Sequence, residues 1–337
     1  MDCTNCHTTL QIPNGAQSIR CAVCHAVSRI GSRLQLLANK YHYPQLLSPF
    51  GRKRAVVIGI AYKNTDDELV GCINDAKCMK YLLVNRFNFP QDSILMLTEE
   101  ERDKKRMPTK HNIIKAMSWL MQGVKAGDSL VFHFSGHGSQ QENDTGDEID
   151  GYDETLCPLD YEKQGEIVDD ELNAILVKPL PPGAKLHAII DACHSGTMLD
   201  LPFLCRTGRT GRYVWEDHRP LSGAWKGTNG GEVISFSGCD DHQNSKETEN
   251  LSKVTSTGAM TFSFIQAIER GQGTTYGSIL NAMRTSIRRS DSDLGGKIVT
   301  TLLTMLINGG SLGSGERQEP QLTANEPFDV YTKPFSL

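Results

Sequence analysis

Short apolar runs alternate with amphipathic stretches along most of the chain from residue 54 onward. The runs are nearly continuous and rich in β-branched residues, which is typical of strands buried on both faces of a sheet. They predict strands at 55–61, 93–97, 129–134, 185–191 and 232–237. Apolar residues at helical spacing predict helices at 74–87, 110–121, 259–269 and 276–288. This order favours an α/β sandwich with a mostly parallel central sheet.

The first 31 residues follow a different pattern, built on paired cysteines. Cys3 and Cys6 form one Cys-x2-Cys pair, and Cys21 and Cys24 form a second. Two such pairs can close a tetrahedral zinc site, and so short a segment has too little core to fold without one. We therefore predict a structural Zn²⁺ on these four cysteines in a module at 1–31, followed by a linker at 32–52.

A basic, glycine-rich segment interrupts the second half of the chain. Residues 206–231 contain six glycines and five basic residues, and they predict an exposed connector that a peptidase could cut. The sequence does not choose among the candidate cleavage sites, which are Arg206, Arg209, Arg212, Arg219 and Lys226.

Composition narrows the class of protein. The 337 residues are 38% hydrophobic, with 35 Lys+Arg and 40 Asp+Glu, as expected of a globular protein. No apolar run approaches the roughly 20 residues of a membrane-spanning helix, and no secretory signal opens the sequence. We expect a cytoplasmic protein, with a nuclear fraction left open, and no membrane partner. The net charge of −5 conceals a local excess, because residues 142–171 hold thirteen acids and one base.

Two of the predicted strands lead into glycine-flanked residues with reactive side chains. The strand at 129–134 runs into SGHGS around His137, and the strand at 185–191 runs into DACHSG around Cys193. Sites in α/β sheets form at the carboxyl ends of strands, so these residues predict a thiolate–imidazole pair with Cys193 as the nucleophile. A buried thiol and an unrelated surface imidazole is the alternative.

Side-chain alternation predicts an acidic pocket beside this pair. If the strands persist, Asp191 shares a face with Cys193, and Ser135 shares a face with His137. A carboxylate next to the nucleophile favours Arg or Lys in a substrate. The alternative is that Asp191 caps the following turn.

From residue 54 to its end, the chain resembles the metacaspases, the caspase-like cysteine peptidases of plants, fungi and protists. The resembling segments are VVIGIAY, GCINDA, FHFSGHGSQ, DGYDETLCPLD, IVDDEL, DACHSGT, SKVTSTGAMTFSFIQAIE and QEPQL. The cysteine pairs with IPNGAQSIRCAVC resemble the lesion-simulating-disease zinc finger of plant metacaspases of the first type. The resemblance implies a caspase-like α/β/α sandwich, with 53–205 as a large-subunit-like region and 232–337 as a small-subunit-like region.

The same resemblance implies roles for individual residues. Cys193 is the nucleophile and His137 its general base, which later protonates the leaving amine. The backbone N–H groups of Cys193 and Gly138 form the oxyanion hole. Cys72 matches a proposed secondary nucleophile, although a small buried apolar residue is the simpler interpretation. The basic-selective pocket maps to Asp75, Ser135 and Asp191.

The acidic stretch gains a predicted function from the resemblance. Asp153, Asp169, Asp170 and Asp200 match family positions that bind Ca²⁺, and Asp150 competes with Asp153 for one of them. Calcium takes six to eight oxygen ligands and relieves the repulsion between converging carboxylates. No EF-hand pattern is present, so the residues by themselves leave a solvated charged loop as the alternative.

Together these features predict a calcium-dependent cysteine endopeptidase that cleaves after Arg or Lys, is made as a single-chain zymogen and cuts itself in the connector. The resemblance implies a role in programmed cell death or proteostasis. Peptide or protein substrates are the expected partners, the zinc finger adds protein partners, and nucleic acid is not expected. A zinc-finger adaptor that acts through protein binding is one alternative. A legumain-like enzyme is another, against which the missing secretory signal counts.

Overall fold

The computed structural model describes residues 18–20, 27–29, 51–143, 148, 151–193, 195–207, 212–220, 222–239, 259–271, 273–289 and 319–337. The chain divides into two compact units, residues 1–49 and residues 50–337. In the small unit, β1 (Ser18–Arg20) pairs antiparallel with β2 (Val27–Arg29). The four predicted zinc ligands Cys3, Cys6, Cys21 and Cys24 lie outside the described residues.

Eleven strands of the large unit form two sheets. They are β3 (Lys53–Gly59), β4 (Ile94–Thr98), β5 (Ser129–Ser135), β6 (Gly138–Glu142), β7 (Tyr152–Leu156), β8 (Ile167–Val168), β9 (Lys185–Asp191), β10 (Phe203–Thr207), β11 (Tyr213–Asp217), β12 (Glu232–Cys239) and β13 (Glu319–Ala324). The central sheet has the order β11-β10-β13-β12-β9-β5-β3-β4, and its five strands from β12 to β4 are parallel. The small sheet has the antiparallel order β6-β7-β8.

The helices of the large unit cover both faces of the central sheet. They are α1 (Cys72–Phe87), α2 (Lys110–Met121), α3 (Tyr161–Gln164), α4 (Asp169–Leu172), α5 (Ala259–Glu269) and α6 (Tyr276–Arg289). Short helical turns lie at Gln91–Ser93, Lys104–Arg106 and Asn173–Val177. Among the described helices, none has the length and apolar character needed to cross a bilayer.

Each face of the central sheet carries its own hydrophobic core. Alternate residues of β3 show why, since Val57 packs with α1, α5 and α6 while Val56 packs with α2 and the turn Asn173–Val177. The near-continuous apolar runs of the sequence therefore supply two cores from one set of strands. This arrangement confirms the predicted α/β/α sandwich with a mostly parallel sheet.

The helix boundaries follow local chemistry. The side chain of Thr109 accepts a hydrogen bond from the backbone N–H of Asn112 and caps α2 at the predicted start. Helix α1 begins two residues earlier than predicted, directly after Gly71, whose φ of 108° favours glycine. It ends at Asn88 in the left-handed conformation.

The connector contains more regular structure than its composition predicts. Residues 203–207 and 213–217 form the antiparallel pair β10–β11 at one edge of the central sheet. Strand β10 also pairs with β13, which is more than a hundred residues away in sequence. The glycines and basic residues of this segment resemble a loop, and only the distant β13 provides the edge that turns it into sheet.

Close packing of α1 on β3 depends on Gly59. A Cβ atom at this position would overlap the carbonyl oxygen of Cys72 and lie 2.9 Å from the Cβ of Ala76. We expect Gly59→Ala to lower the free energy of unfolding by about 1–3 kcal/mol through overpacking, measured by urea denaturation.

Gly271→Ala is the matched control for that substitution. Gly271 has a φ of 67° and open space around its Cα, so alanine there would add backbone strain without a clash. A Gly59 variant no less stable than wild type would contradict the packing argument.

Candidate active site

The register between β5 and β9 brings His137 and Cys193 to the same edge of the central sheet. Ser135 is the registered partner of Asp191, and each strand ends at that pair. His137 and Cys193 each lie two residues beyond it. The backbone N–H of Gly136 donates to the carbonyl of Asp191 at 3.2 Å, which continues the pairing past the strand end. The structure therefore brings together the two residues that the sequence assigned to a dyad.

Gly138 allows the two chain segments to approach closely. A Cβ atom at this position would overlap the carbonyl oxygen of Cys193 and lie 3.2 Å from the Cβ of Ala192. Any larger residue would push the segment after His137 away from Cys193. Gly138 and Cys193, the predicted oxyanion-hole residues, are thus direct neighbours.

His137 is held from three sides. Its ring Nε2 lies 2.8 Å from the carbonyl oxygen of Asp67, and its backbone N–H donates to the hydroxyl of Tyr62 at 3.0 Å. Its own carbonyl accepts from the backbone N–H of Cys157 at 3.0 Å. A carbonyl oxygen only accepts, so Nε2 carries the proton and Nδ1 is the basic nitrogen of the neutral ring. This tautomer suits a general base, because its basic nitrogen is the one not engaged by Asp67.

Burial adjusts the basicity of this imidazole. His137 is only 7% exposed, and this desolvation lowers its pKa, while the hydrogen bond to Asp67 acts in the opposite direction. A lowered pKa keeps the ring neutral at physiological pH. His137 is therefore available to accept a proton from the thiol.

Tyr62 links the histidine to Cys157, the residue directly after β7. Its hydroxyl donates to the carbonyl of Cys157 at 2.5 Å while accepting from the N–H of His137, and its ring centroid lies 4.7 Å from that of the histidine. Tyr161 donates to the Asp67 side chain at 2.7 Å and steadies the loop whose carbonyl faces the imidazole. These residues orient the base without being reactive themselves.

Cys193 differs from the other described cysteines of the large unit. The five whose side chains are described are buried and form no disulfide, but Cys193 retains 8% exposure at the sheet edge. Burial raises the pKa of Cys78 and of Cys205 to about 12, and it raises the pKa of Cys157 further, so these thiols are poor nucleophiles. Cys72, the possible secondary nucleophile, has no exposed surface, which supports its interpretation as a buried apolar residue.

The three predicted pocket residues converge beside the dyad. The hydroxyl of Ser135 donates to Oδ2 of Asp75 at 3.0 Å, and Ser135 faces Asp191 across the β5–β9 pair. All three side chains are fully buried. Ser135 thus contacts Asp75 and is registered with Asp191, which precedes Cys193 by two residues in the chain.

Both of these carboxyl groups lie at helix amino termini. Asp75 is in the first turn of α1, and Oδ2 of Asp191 accepts from the backbone N–H of Thr261 in the first turn of α5 at 2.6 Å. Asp191 therefore does act as a cap, but of α5 rather than of the turn that follows it in sequence. The positive ends of two helices compensate buried negative charge at this point.

Glu148, Asp169 and Asp200 form a second acidic cluster. One carboxylate oxygen of each lies within 4.8 Å of the others. Burial, and then the charges of Asp200 and Glu154, raise the pKa of Asp169, and burial raises the pKa of Glu148 and of Asp200. Such crowding is unfavourable unless a cation compensates it.

The structure gathers only part of the predicted calcium set. Asp169 and Asp200 belong to this cluster, whereas Asp153 and Asp170 lie outside the oxygen group found among the described residues. Asp153 instead accepts hydrogen bonds from Gln141 and Asn143 beside β6. Asp170 remains near enough to Asp200 to raise its pKa. Asp150 lies outside the described residues.

The cluster fits a hard divalent cation. It offers oxygen ligands alone, and Oδ2 of Asp200 is buried with no hydrogen-bond donor among the described residues. Carboxylate oxygens and water are the ligands that calcium prefers. Glu148, Asp169 and Asp200 would hold such an ion, which would offset the charge of the cluster.

Sequence patterns did not identify the roles of four residues that contribute to the site or to the acidic cluster. Glu148 lies in the acidic stretch that the charge count found, but the count cannot select one acid among thirteen. Tyr62 and the carbonyl of Asp67 act through the folded loop after β3 and leave no motif in the sequence. Lys226 was seen only as a candidate cleavage site, yet its ammonium group lies in the acidic cluster, 3.0 Å from Asp200.

We expect Tyr62→Phe to destabilise the site by about 1–3 kcal/mol, because the buried N–H of His137 and the buried carbonyl of Cys157 would each lose a partner. Urea denaturation measures this cost. Tyr161→Phe is the matched control, because it removes a hydroxyl that bonds a side chain with access to water. An equal decrease in the free energy of unfolding in the two variants would contradict the role assigned to Tyr62.

Comparison with known proteins agrees with this geometry. The profile of the family described as "Metacaspase, peptidase C14 domain" matches residues 53–202, and the LSD1 zinc finger profile matches residues 3–27. Metacaspase-1 of Arabidopsis thaliana is 63% identical over 100% of this chain and 96% of its own length. Metacaspase-2 of the same plant is 50% identical over 100% of this chain and 99% of its own length.

Among solved structures, a crystal structure of a protein from Geobacter sulfurreducens is similar in fold. The TM-score is 0.50 at 21% identity, over 85% of this chain and 97% of that one. The match to the LSD1 zinc finger supports zinc binding by the small unit. A cysteine and a histidine lie at the ends of two paired strands, the zinc finger profile matches the N-terminal residues, and the plant relatives match over the whole chain. The chain therefore belongs to the metacaspases, as a cysteine-type endopeptidase of their plant type I.

Proposed function

We propose that this endopeptidase cleaves after Arg or Lys and depends on calcium. The observation that carries the specificity is the buried set of Asp75, Ser135 and Asp191 beside Cys193. In the proposed reaction, Nδ1 of His137 takes the thiol proton and the thiolate attacks the scissile carbonyl. The backbone N–H groups of Gly138 and Cys193 stabilise the oxyanion, and the imidazolium then protonates the leaving amine.

The carboxyl groups of the pocket favour a substrate with a basic rather than an acidic residue before the cleaved bond. Two carboxyl groups in a buried setting attract a guanidinium or ammonium group and repel a substrate carboxylate. A substrate cation that reaches these carboxyl groups would gain charge-assisted hydrogen bonds.

We expect fluorogenic peptides ending in Arg or Lys to be hydrolysed in preference to an Asp peptide, and only when calcium is present. Cys193→Ala should abolish the hydrolysis, because it removes the nucleophile. A preference for Asp, or activity that survives in Cys193→Ala, would refute the proposal. Asp75→Asn keeps an acceptor for Ser135 but removes the charge.

For Asp75→Asn, kcat/KM on the Arg peptide should fall at least about tenfold. The same variant should lose much less activity on a matched citrulline peptide, which has the shape of Arg without its charge. Equal losses on the two peptides would indicate a structural role for Asp75. Asp92→Asn, at an exposed position on the turn Gln91–Ser93, serves as the control.

Calcium dependence is supported by the cluster of Glu148, Asp169 and Asp200. Residues 195–200 connect Cys193 to Asp200, so a cation there can order the chain segment that carries the nucleophile. The hydroxyl of Thr197, within this segment, also donates to Glu154 on β7. Calcium would thereby stabilise the arrangement that positions the thiol.

Asp200→Asn should raise the calcium concentration for half-maximal activity about tenfold, because an amide is a poorer ligand than a carboxylate. Asp92→Asn should leave it unchanged. The same measurement on Asp153→Asn tests whether the residue matched by family resemblance also binds the ion. An unchanged calcium requirement in Asp200→Asn would refute the proposed site.

Self-cleavage in the connector is a further part of the proposal. The side chains of Arg206, Arg212 and Arg219 are exposed, but the backbone of Arg206 is paired within β10, and Lys226 is buried. Arg219 forms an ion pair with Asp217, but both side chains are exposed, so the pair is weak and does not hold Arg219 in place. Arg212 and Arg219 are therefore the more accessible of the described candidates, while Arg209 lies outside the described residues.

The small unit supplies a second, binding function. The zinc finger at residues 3–27 forms its own compact unit, as expected of a module that recruits protein partners. We place the protein in the cytoplasm, where buried free thiols such as Cys78 and Cys205 remain reduced. Regulated cleavage there would serve programmed cell death or proteostasis.

A further inference from the structure

Lys226 is a connector residue whose charged end is buried among acids. Its side chain is 7% exposed, and its Nζ lies 3.0 Å from Oδ1 of Asp200 and in direct contact with Oε1 of Glu148. Lysine is seldom buried so completely unless its charge is paired. Two of the three carboxylates of the acidic cluster are its partners.

The backbone around Lys226 is also fixed to the large unit. The side-chain amide of Asn173 donates to the carbonyl of Lys226 at 3.3 Å and to the carbonyl of Leu199 at 2.9 Å. Asn173 thus joins the connector to the chain segment that carries Asp200. The neighbouring Trp225 is 52% exposed, so the segment is secured through Lys226 rather than through its indole ring.

One ammonium group compensates the cluster incompletely. It supplies a single positive charge to three converging carboxyl groups, and Oδ2 of Asp200 still receives no hydrogen bond from the described residues. A divalent cation carries twice the charge and accepts more oxygen ligands than an ammonium group has protons. An ion held by Glu148 and Asp200 would lie beside the ammonium group that already contacts both, and repulsion between the two cations disfavours their occupying the cluster together.

We propose that Lys226 is a tethered cation that fills the acidic cluster in the calcium-free enzyme and is displaced when calcium binds. The inference rests on the calcium binding proposed above and adds a competitor for that site. Displacement withdraws the ammonium group from Glu148 and Asp200, while Asn173 still holds the backbone carbonyl of Lys226. The lysine lowers the apparent calcium affinity, because only the fraction of molecules with Lys226 withdrawn can accept the ion.

Isothermal titration calorimetry of calcium binding to the full chain tests the competition. Every protein in the experiment carries Cys193→Ala to prevent self-cleavage, and the chain with this substitution alone is the parent. We expect Lys226→Met to bind calcium about tenfold more tightly than the parent. Lys178→Met removes a charge from an exposed position, and its affinity should match that of the parent. If Lys226 instead helped to form the calcium site, Lys226→Met would bind calcium more weakly. If Lys226 had only a structural role, the affinity for calcium would be unchanged or weaker.

Amine labelling of the chain that retains Lys226 supplies an independent measurement, which does not depend on the folding of a variant. With a chelator, reductive methylation followed by mass spectrometry should modify Lys226 far more slowly than Lys178. With saturating calcium, the two rates should become similar. Continued protection of Lys226 at saturating calcium would overturn the inference.

The outcomes separate this inference from the calcium proposal. Calcium binding that is equally tight in the parent and in Lys226→Met refutes displacement and leaves the calcium site in place. Absence of calcium binding in both proteins refutes the site and the competition together. Tighter binding in Lys226→Met, with calcium-dependent labelling of Lys226, supports both.

Discussion

The parallel pairing of β5 with β9 is the interaction on which the site depends. Its register sets Ser135 against Asp191, and the residues two positions further along each strand are then His137 and Cys193. A shift of one residue would turn one side chain to the other face of the sheet and separate the dyad. Both strands are buried in two cores at once, so the register is enforced by packing on either face.

Buried charge, and how it is compensated, distinguishes the two acidic regions around that dyad. Asp75 and Asp191 lie at the amino ends of α1 and α5, where Asp75 accepts from the hydroxyl of Ser135 and Asp191 accepts from the backbone N–H of Thr261. Glu148 and Asp200 instead meet a lysine from the connector. In the proposed function, the first region receives a cationic side chain of a substrate. The second holds the ammonium group of Lys226, which calcium is proposed to replace.

Most of the elements that carry the site could be predicted from the pattern of apolar residues. The strand Lys185–Asp191 and the helices Lys110–Met121 and Ala259–Glu269 have their predicted bounds, because each is long, strongly patterned and limited by clear stop signals. The edge strands β10, β11 and β13 were not predicted. Their sequences are mixed in character, and their pairing joins segments that are far apart in the chain.

By itself, the sequence determined the layered fold, and it predicted the cysteine–histidine pair and the acidic residues placed beside it. These follow from local patterns, since strand alternation and glycine-flanked strand ends are properties of neighbouring residues. Only the tertiary structure decided that Asp191 caps a helix seventy residues away, that the carbonyl of Asp67 sets the tautomer of His137, and that Lys226 joins Glu148 and Asp200. Such contacts depend on how distant segments pack, and their energy is gained only after the chain has closed around them.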